Sequence, residues 1–154
     1  MELTLSRRGD YAVRAAIALA RVGAGGGYVK TREISLEMGI PAAYTPQILG
    51  LLAHAGLAEA RAGRRGGYRL TRDPSEIRLV DVVQAAEGSL RPDRCSLRGG
   101  PCRWNRMCAL HPAWSAATNA FCDLLGNVTL ASVTAVDVAL AQGSYPVGAD
   151  SHRN

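Results

Sequence analysis

Between residues 31 and 70 the chain runs through two short helical patterns, each stopped by a glycine, and then two strand-like runs around a glycine-rich basic turn. Few folds accommodate that order. Thr31 is placed to cap the first helix, with Glu33 in its opening turn, where the helix dipole favours negative charge. Ile34, Leu36 and Met38 supply its apolar side and Gly39 ends it. After the tight connection GIPAAY, Thr45 is expected as the cap of the next helix, with Pro46 at the first helical position, where no amide donor is needed. Ile48, Leu49, Leu51 and Leu52 face inward, and Gly56 is the stop. Helix, short turn, helix is a helix-turn-helix pattern. LAEAR (57–61) and YRL (68–70), joined by AGRRGG, then read as a hairpin, which in this position is a wing. Its tip carries Arg64 and Arg65 between glycines, and Arg61 lies at the end of the first strand. Arginines so placed can bond phosphates or enter a minor groove. A solvated basic turn is the bland alternative, and the order of elements argues against it.

The flanking segments are helical. Residues 4–22 have Thr4 or Ser6 as cap and an apolar face of Tyr11, Val13, Ala16, Ile17, Leu19 and Ala20, ended by GAGGG. Residues 77–87 turn Leu79, Val82, Val83 and Ala86 inward, and Gly88 closes them. A long helix from His111 to Leu125 carries Trp114, Ala117, Phe121 and Leu124 at helical spacing, and another runs from Leu130 to Gln142. The expected fold class is mainly α: a winged helix-turn-helix with a long C-terminal dimerisation helix. The expected organisation is a winged helix-turn-helix domain over 1–88, a ligand-bearing loop over 89–110, dimerisation helices over 111–143 and a mobile polar tail over 144–154. Apolar residues make up 47% of the 154, enough for a folded core, and the formal charge of +5 favours a polyanionic partner. No stretch approaches the roughly 20 apolar residues a membrane span needs, and the N-terminus lacks the pattern of a signal peptide. The expectation is a cytoplasmic protein with no membrane partner.

The loop holds Cys95, Cys102, Cys108 and His111 in the spacing C-x6-C-x5-C-x2-H, with Gly99, Gly100 and Pro101 in the first gap. In a reducing compartment, clustered cysteines read as metal-binding or redox-active before they read as disulfides. Thiolates at this density select zinc, copper(I) or an iron–sulfur cluster over hard cations. Three readings of the loop therefore stand: an iron–sulfur centre, a closed Cys3His zinc site, and a metal-free thiol switch in which Cys102 pairs reversibly with Cys108 or Cys95. Cys122, alone on the long helix, reads as a small buried apolar residue. Nothing pairs a nucleophile with a base in a pocket-forming pattern, so an enzyme is not expected.

In order along the chain, LTLSRRGDYAVRA, EISLEMGIPAAYTPQIL, GRRGGYRL, C-x6-C-x5-C-x2-H-x2-W and LLGNVTLASV resemble the IscR/NsrR family of bacterial iron–sulfur transcriptional regulators. The resemblance covers about residues 1 to 140. It implies a homodimer on double-stranded DNA with a palindromic operator, the long C-terminal helices crossing at the interface. Trp114, Phe121 and Leu124 would then be interface, with an intramolecular core as the other reading. Tyr44 and Gln47 match positions that contact DNA in IscR-like members, and a glutamine can read adenine through paired hydrogen bonds. The chain departs from them at Ala43, where a serine is expected, and at Pro46, where a glutamate is expected, which puts the operator sequence in doubt. For the cluster, the resemblance implies His111 as fourth ligand to a [2Fe–2S] centre, as in IscR-like proteins. Asp10 is the alternative, matching the aspartate with which NsrR-like proteins complete a [4Fe–4S] centre from the other subunit. The Cys-x2-His pattern favours the IscR-like chemistry. The first gap is one residue longer than in IscR, an addition a glycine-rich loop absorbs.

Overall fold

The computed structural model describes residues 4–22, 26–90 and 108–145. Helix α1 (Arg7–Val22) is the central element, packed against α2, α3, α4 and α6, the helices whose ranges follow. Ser6 lies just before it and its hydroxyl accepts the Gly9 amide at 3.2 Å, as a cap should. Gly9 and seven residues from Ala12 to Ala20 are buried, five of them alanines. Small side chains let the neighbouring helices approach closely.

Helix α2 (Thr31–Met38) begins one residue earlier than a Thr31 cap would place it. Lys30 precedes the helix in an extended conformation, and the Glu33 carboxylate reaches back to accept its amide at 3.1 Å. The acid three residues on satisfies the open donor, so no hydroxyl cap is needed. Gly39 closes α2 in the left-handed conformation (φ 62°). Leu36, expected to face inward, is 73% exposed. Ile34 and Ser35 hold the buried side of this two-turn helix, and two positions further on the direction has swung outward.

Helix α3 (Thr45–His54) shows the same one-residue shift. Tyr44 precedes it, Thr45 is its first residue, and Pro46 sits at the second position, still where amides lack helical partners. Thr45 is fully buried, its hydroxyl donating to the Pro41 carbonyl at 3.1 Å. Ile48, Leu49 and Leu52 are buried as expected, whereas Leu51 is half-buried. Ala55 and Gly56 end the helix, with the Leu57 amide returning to the Leu52 carbonyl at 2.9 Å.

The wing is an antiparallel pair, β1 (Ala58–Arg61) and β2 (Gly67–Leu70), in the register Ala58↔Leu70 and Arg61↔Gly67. A third segment, unforeseen in the sequence, lies against it: Val29 and Tyr68 exchange both backbone bonds, at 2.8 and 2.9 Å. Gly67 makes this possible. Its φ is 146°, and a Cβ there would overlap the Val29 carbonyl.

After a single 3-10 turn (Pro74–Glu76), helix α4 (Leu79–Glu87) starts two residues later than the sequence pattern. Ile77 and Arg78 are instead extended and paired with the segment before the last helix. The Leu79 amide donates to the Val128 carbonyl at 2.9 Å and the Leu130 amide to the Ile77 carbonyl at 2.8 Å. Helix α5 (His111–Asn127) therefore returns the chain to the start of α4, and α6 (Leu130–Ala141) follows under a Thr129 cap. Leu19, Ile34, Leu49, Leu52, Ile77, Val82 and Leu130 form one continuous core. Of the tail, 144 and 145 are exposed and 146–154 lie outside the described residues.

Candidate functional site

Two exposed features stand out, the start of α3 and the wing. At the start of α3, Tyr44 is 54% exposed, its ring tilted against Tyr11 with centroids 6.3 Å apart. Gln47, one turn-face away, is exposed as well. In the wing, Arg61, Arg64 and Arg65 are all exposed. Arg64 and Arg65 fill the middle of a turn closed by the Gly66 amide on the Gly63 carbonyl at 3.0 Å. All five residues expected to meet DNA are thus available to it.

The wing is more firmly built than its sequence implied. Tyr28, before α2, lies under two guanidinium groups, Arg69 at 4.8 Å and Arg61 at 5.7 Å from its ring centroid. Its hydroxyl donates to the Glu59 carboxylate at 2.9 Å, which also receives Arg69 Nε at 2.5 Å. The Arg69 bond, then the Tyr28 bond, hold the Glu59 carboxyl below its ordinary range, and the same carboxylate raises the Tyr28 phenol. Lys30 reaches the wing tip, where its ammonium lies 2.7 Å from the Arg64 carbonyl and 3.2 Å from that of Gly63. Tyr28, Lys30 and Arg69 were missed as functional candidates. Only their alternation near a basic hairpin could have flagged them.

Of the expected metal ligands, Cys95 and Cys102 lie outside the described residues. Cys108 is a free, half-buried thiol, and His111 is the first residue of α5. The His111 amide donates to the Cys108 carbonyl at 3.1 Å, which sets both side chains on one turn. His111 Nε2 is 3.3 Å from the Ser115 hydroxyl, one helical turn on. A thiolate and an accessible imidazole on one turn are a donor pair that fits a soft or borderline metal. No group of three or more potential ligands gathers among the described residues. Cys122 is buried in α5, as expected.

Asp10 is held elsewhere. Its carboxylate takes both arms of Arg14, at 3.0 and 2.9 Å, and Arg14 also reaches the Met38 carbonyl at the end of α2. One turn before it, Ser6 donates its amide and hydroxyl to Glu87 at 2.9 and 2.7 Å. Gly9 leaves the space this carboxylate fills. The start of α1 is therefore fixed to the end of α4, where the cysteine loop departs. At the other end of α1, Arg21 joins Glu37 of α2 to Asp137 of α6, and the Asp137 bond raises its pKa further above the ordinary arginine value.

Helix, turn, recognition helix and basic wing define a winged-helix DNA-binding regulator. The family model described as Rrf2, iron-dependent transcriptional regulator, matches residues 5–136, and the chain belongs to that family. The regulator IscR of Escherichia coli (strain K12 / DH10B) is 31% identical over 128 residues, covering 83% of this chain and 78% of its own. Among solved structures, IscR of T. potens superposes with a TM-score of 0.70 at 29% identity, over 96% of both chains. CymR, the global cysteine regulator of B. subtilis, gives 0.72 at 25% identity, over 87% of this chain and 98% of its own. No helix among the described residues is long and apolar enough to cross a membrane.

Proposed function

We propose that this regulator is a cytoplasmic homodimer whose affinity for a palindromic operator is set by an iron–sulfur cluster, acting as a repressor that reports redox, nitric oxide or iron–sulfur status. The observation that carries the reading is the position of the Cys108–His111 turn. It opens α5, a helix of 17 residues with one buried side chain and an exposed apolar face, and it ends the loop that leaves the DNA-binding half at Glu87. Cys95, Cys102, Cys108 and His111 would hold a [2Fe–2S] cluster. Such a cluster supplies an electron-accepting centre that oxygen or nitric oxide can attack, and one imidazole in place of a thiolate lowers its negative charge. Asp10 as ligand to a [4Fe–4S] cluster is the alternative, and it would require the carboxylate to leave Arg14. Gain or loss of ligation shifts the loop against α5, and a population shift of the dimer follows.

Tyr44 and Gln47 would read base edges in the major groove, and Arg61, Arg64 and Arg65 would hold the adjacent backbone or minor groove. Pro46 offers no carboxylate to the bases, so the operator differs from that of members with glutamate there.

The test uses protein purified without oxygen and a duplex selected from a random-sequence pool. Native mass spectrometry is expected to give one [2Fe–2S] per subunit; one [4Fe–4S] would transfer the fourth ligand to Asp10. Zinc, or no metal with a peroxide-sensitive disulfide, would replace the cluster reading. Equal affinity of cluster-loaded and cluster-stripped protein for the selected duplex would refute the switch.

A further inference from the structure

The ammonium of Lys30 joins the start of α2 to the wing tip. A lysine beside two arginines would ordinarily read as one more phosphate contact. Its geometry is different. Two of its three protons are directed at backbone carbonyls, those of Gly63 and Arg64, at 3.2 and 2.7 Å. These carbonyls belong to the first two residues of the turn that presents Arg64 and Arg65. The main chain of Lys30 is itself fixed, its amide bonded to Glu33 at 3.1 Å and its neighbour Val29 paired with Tyr68.

We infer that Lys30 is a positioning residue for the wing: it locks the turn so that Arg64 and Arg65 meet DNA in a fixed relation to α3. The inference rests on the wing being used for DNA binding. A charged donor on two carbonyls is among the stronger hydrogen bonds, and the wing is otherwise a short hairpin, which holds its shape poorly alone.

Lys30→Met and Lys30→Gln test this. Without DNA, amide exchange at Gly66 is expected to quicken about tenfold in Lys30→Met and less in Lys30→Gln, which keeps a neutral donor. On the selected duplex, Lys30→Met is expected to weaken binding about tenfold in the wild-type wing but less than about twofold in an Arg64→Ala/Arg65→Ala background, since coupled residues do not add. Unchanged exchange would overturn the lock. So would an equal loss in both backgrounds with the salt slope lower by about one, the mark of a phosphate contact. Undiminished binding by Arg64→Ala/Arg65→Ala alone would instead remove the wing reading, a failure read from a different variant.

Discussion

Helices α1 and α5 are of nearly equal length, 16 and 17 residues, and both are rich in alanine. Yet α1 buries eight residues and α5 only Cys122, leaving Phe121 40% and Leu124 69% exposed. A cleft of about 360 Å3 remains between α5 and the body, lined by Leu5, Val13, Leu79, Val83, Phe121 and Leu125. Helical propensity is similar in the two, so the difference lies in what each packs against. Helix α1 is enclosed by α2, α3, α4 and α6, whereas α5 keeps an apolar face exposed among the described residues. On the proposed homodimer reading, a second copy covers that face.

The sharpest way to break this comparison is to truncate one leucine in each region. Leu49→Ala, in the core, is expected to cost about 2–5 kcal/mol in thermal unfolding, independent of protein concentration. Leu124→Ala should change the stability of the single chain by less than about 0.5 kcal/mol while shifting sedimentation toward monomer. Equal, concentration-independent losses from both would mean that α5 is not a shared face. Next in size is Gly67→Ala. A side chain at this φ costs about 1–3 kcal/mol and pushes Val29 off the wing, so operator binding should fall while the fold melts only slightly earlier. An unaltered wing in amide exchange would show that Val29 is dispensable.

Much of the first half was legible because local rules decide it. Gly39, Gly56 and the hairpin glycines stand where the chain turns. The misplacements have local causes too: Glu33 caps Lys30 more effectively than Thr31 could, and Thr45 is drawn inside its helix by the Pro41 carbonyl. Leu36 misled because two turns of helix have only one buried side. What stayed hidden depends on distant partners. Val29 becomes a strand only when Tyr68 is beside it, Lys30 acts on carbonyls more than thirty residues away, and Arg21 finds Asp137 only in the folded chain. The cysteine and histidine spacing was legible as a candidate ligand set, and of that set the described residues hold Cys108 and His111.

Specificity offers a finer probe. Pro46→Glu adds a carboxylate beside Gln47, where bases are proposed to be read, and a cytosine amino group is its natural donor. Relative affinities across a selected pool should then separate by about 1–3 kcal/mol at one base position, with Lys and Arg contacts, and so the salt slope, unchanged. A pool with the same preferences would place Pro46 away from the bases. The smallest effect concerns acid. Glu59 has its carboxyl lowered by Arg69 and Tyr28, so its stabilising contribution is complete above the ordinary carboxylate pKa and fades as pH falls through the lowered value. Chemical shifts of Tyr28 and Arg69 should follow that titration and lie flat in Glu59→Gln. A flat wild-type response would mean that the carboxylate does not organise the wing.

The backbone bonds joining Ile77 and Leu79 to Leu130 and Val128 close residues 80–127 into a ring of chain, which Glu87 fastens a second time at Ser6. A fastened ring can change its circumference without moving its clasp. Adding one residue to a long closed loop costs only a small fraction of a kcal/mol in closure entropy, of which a doubling costs about 0.6. A residue inserted between Cys95 and Cys102 therefore costs the clasp almost nothing. Such an arrangement tolerates drift in the length of the cysteine-bearing segment.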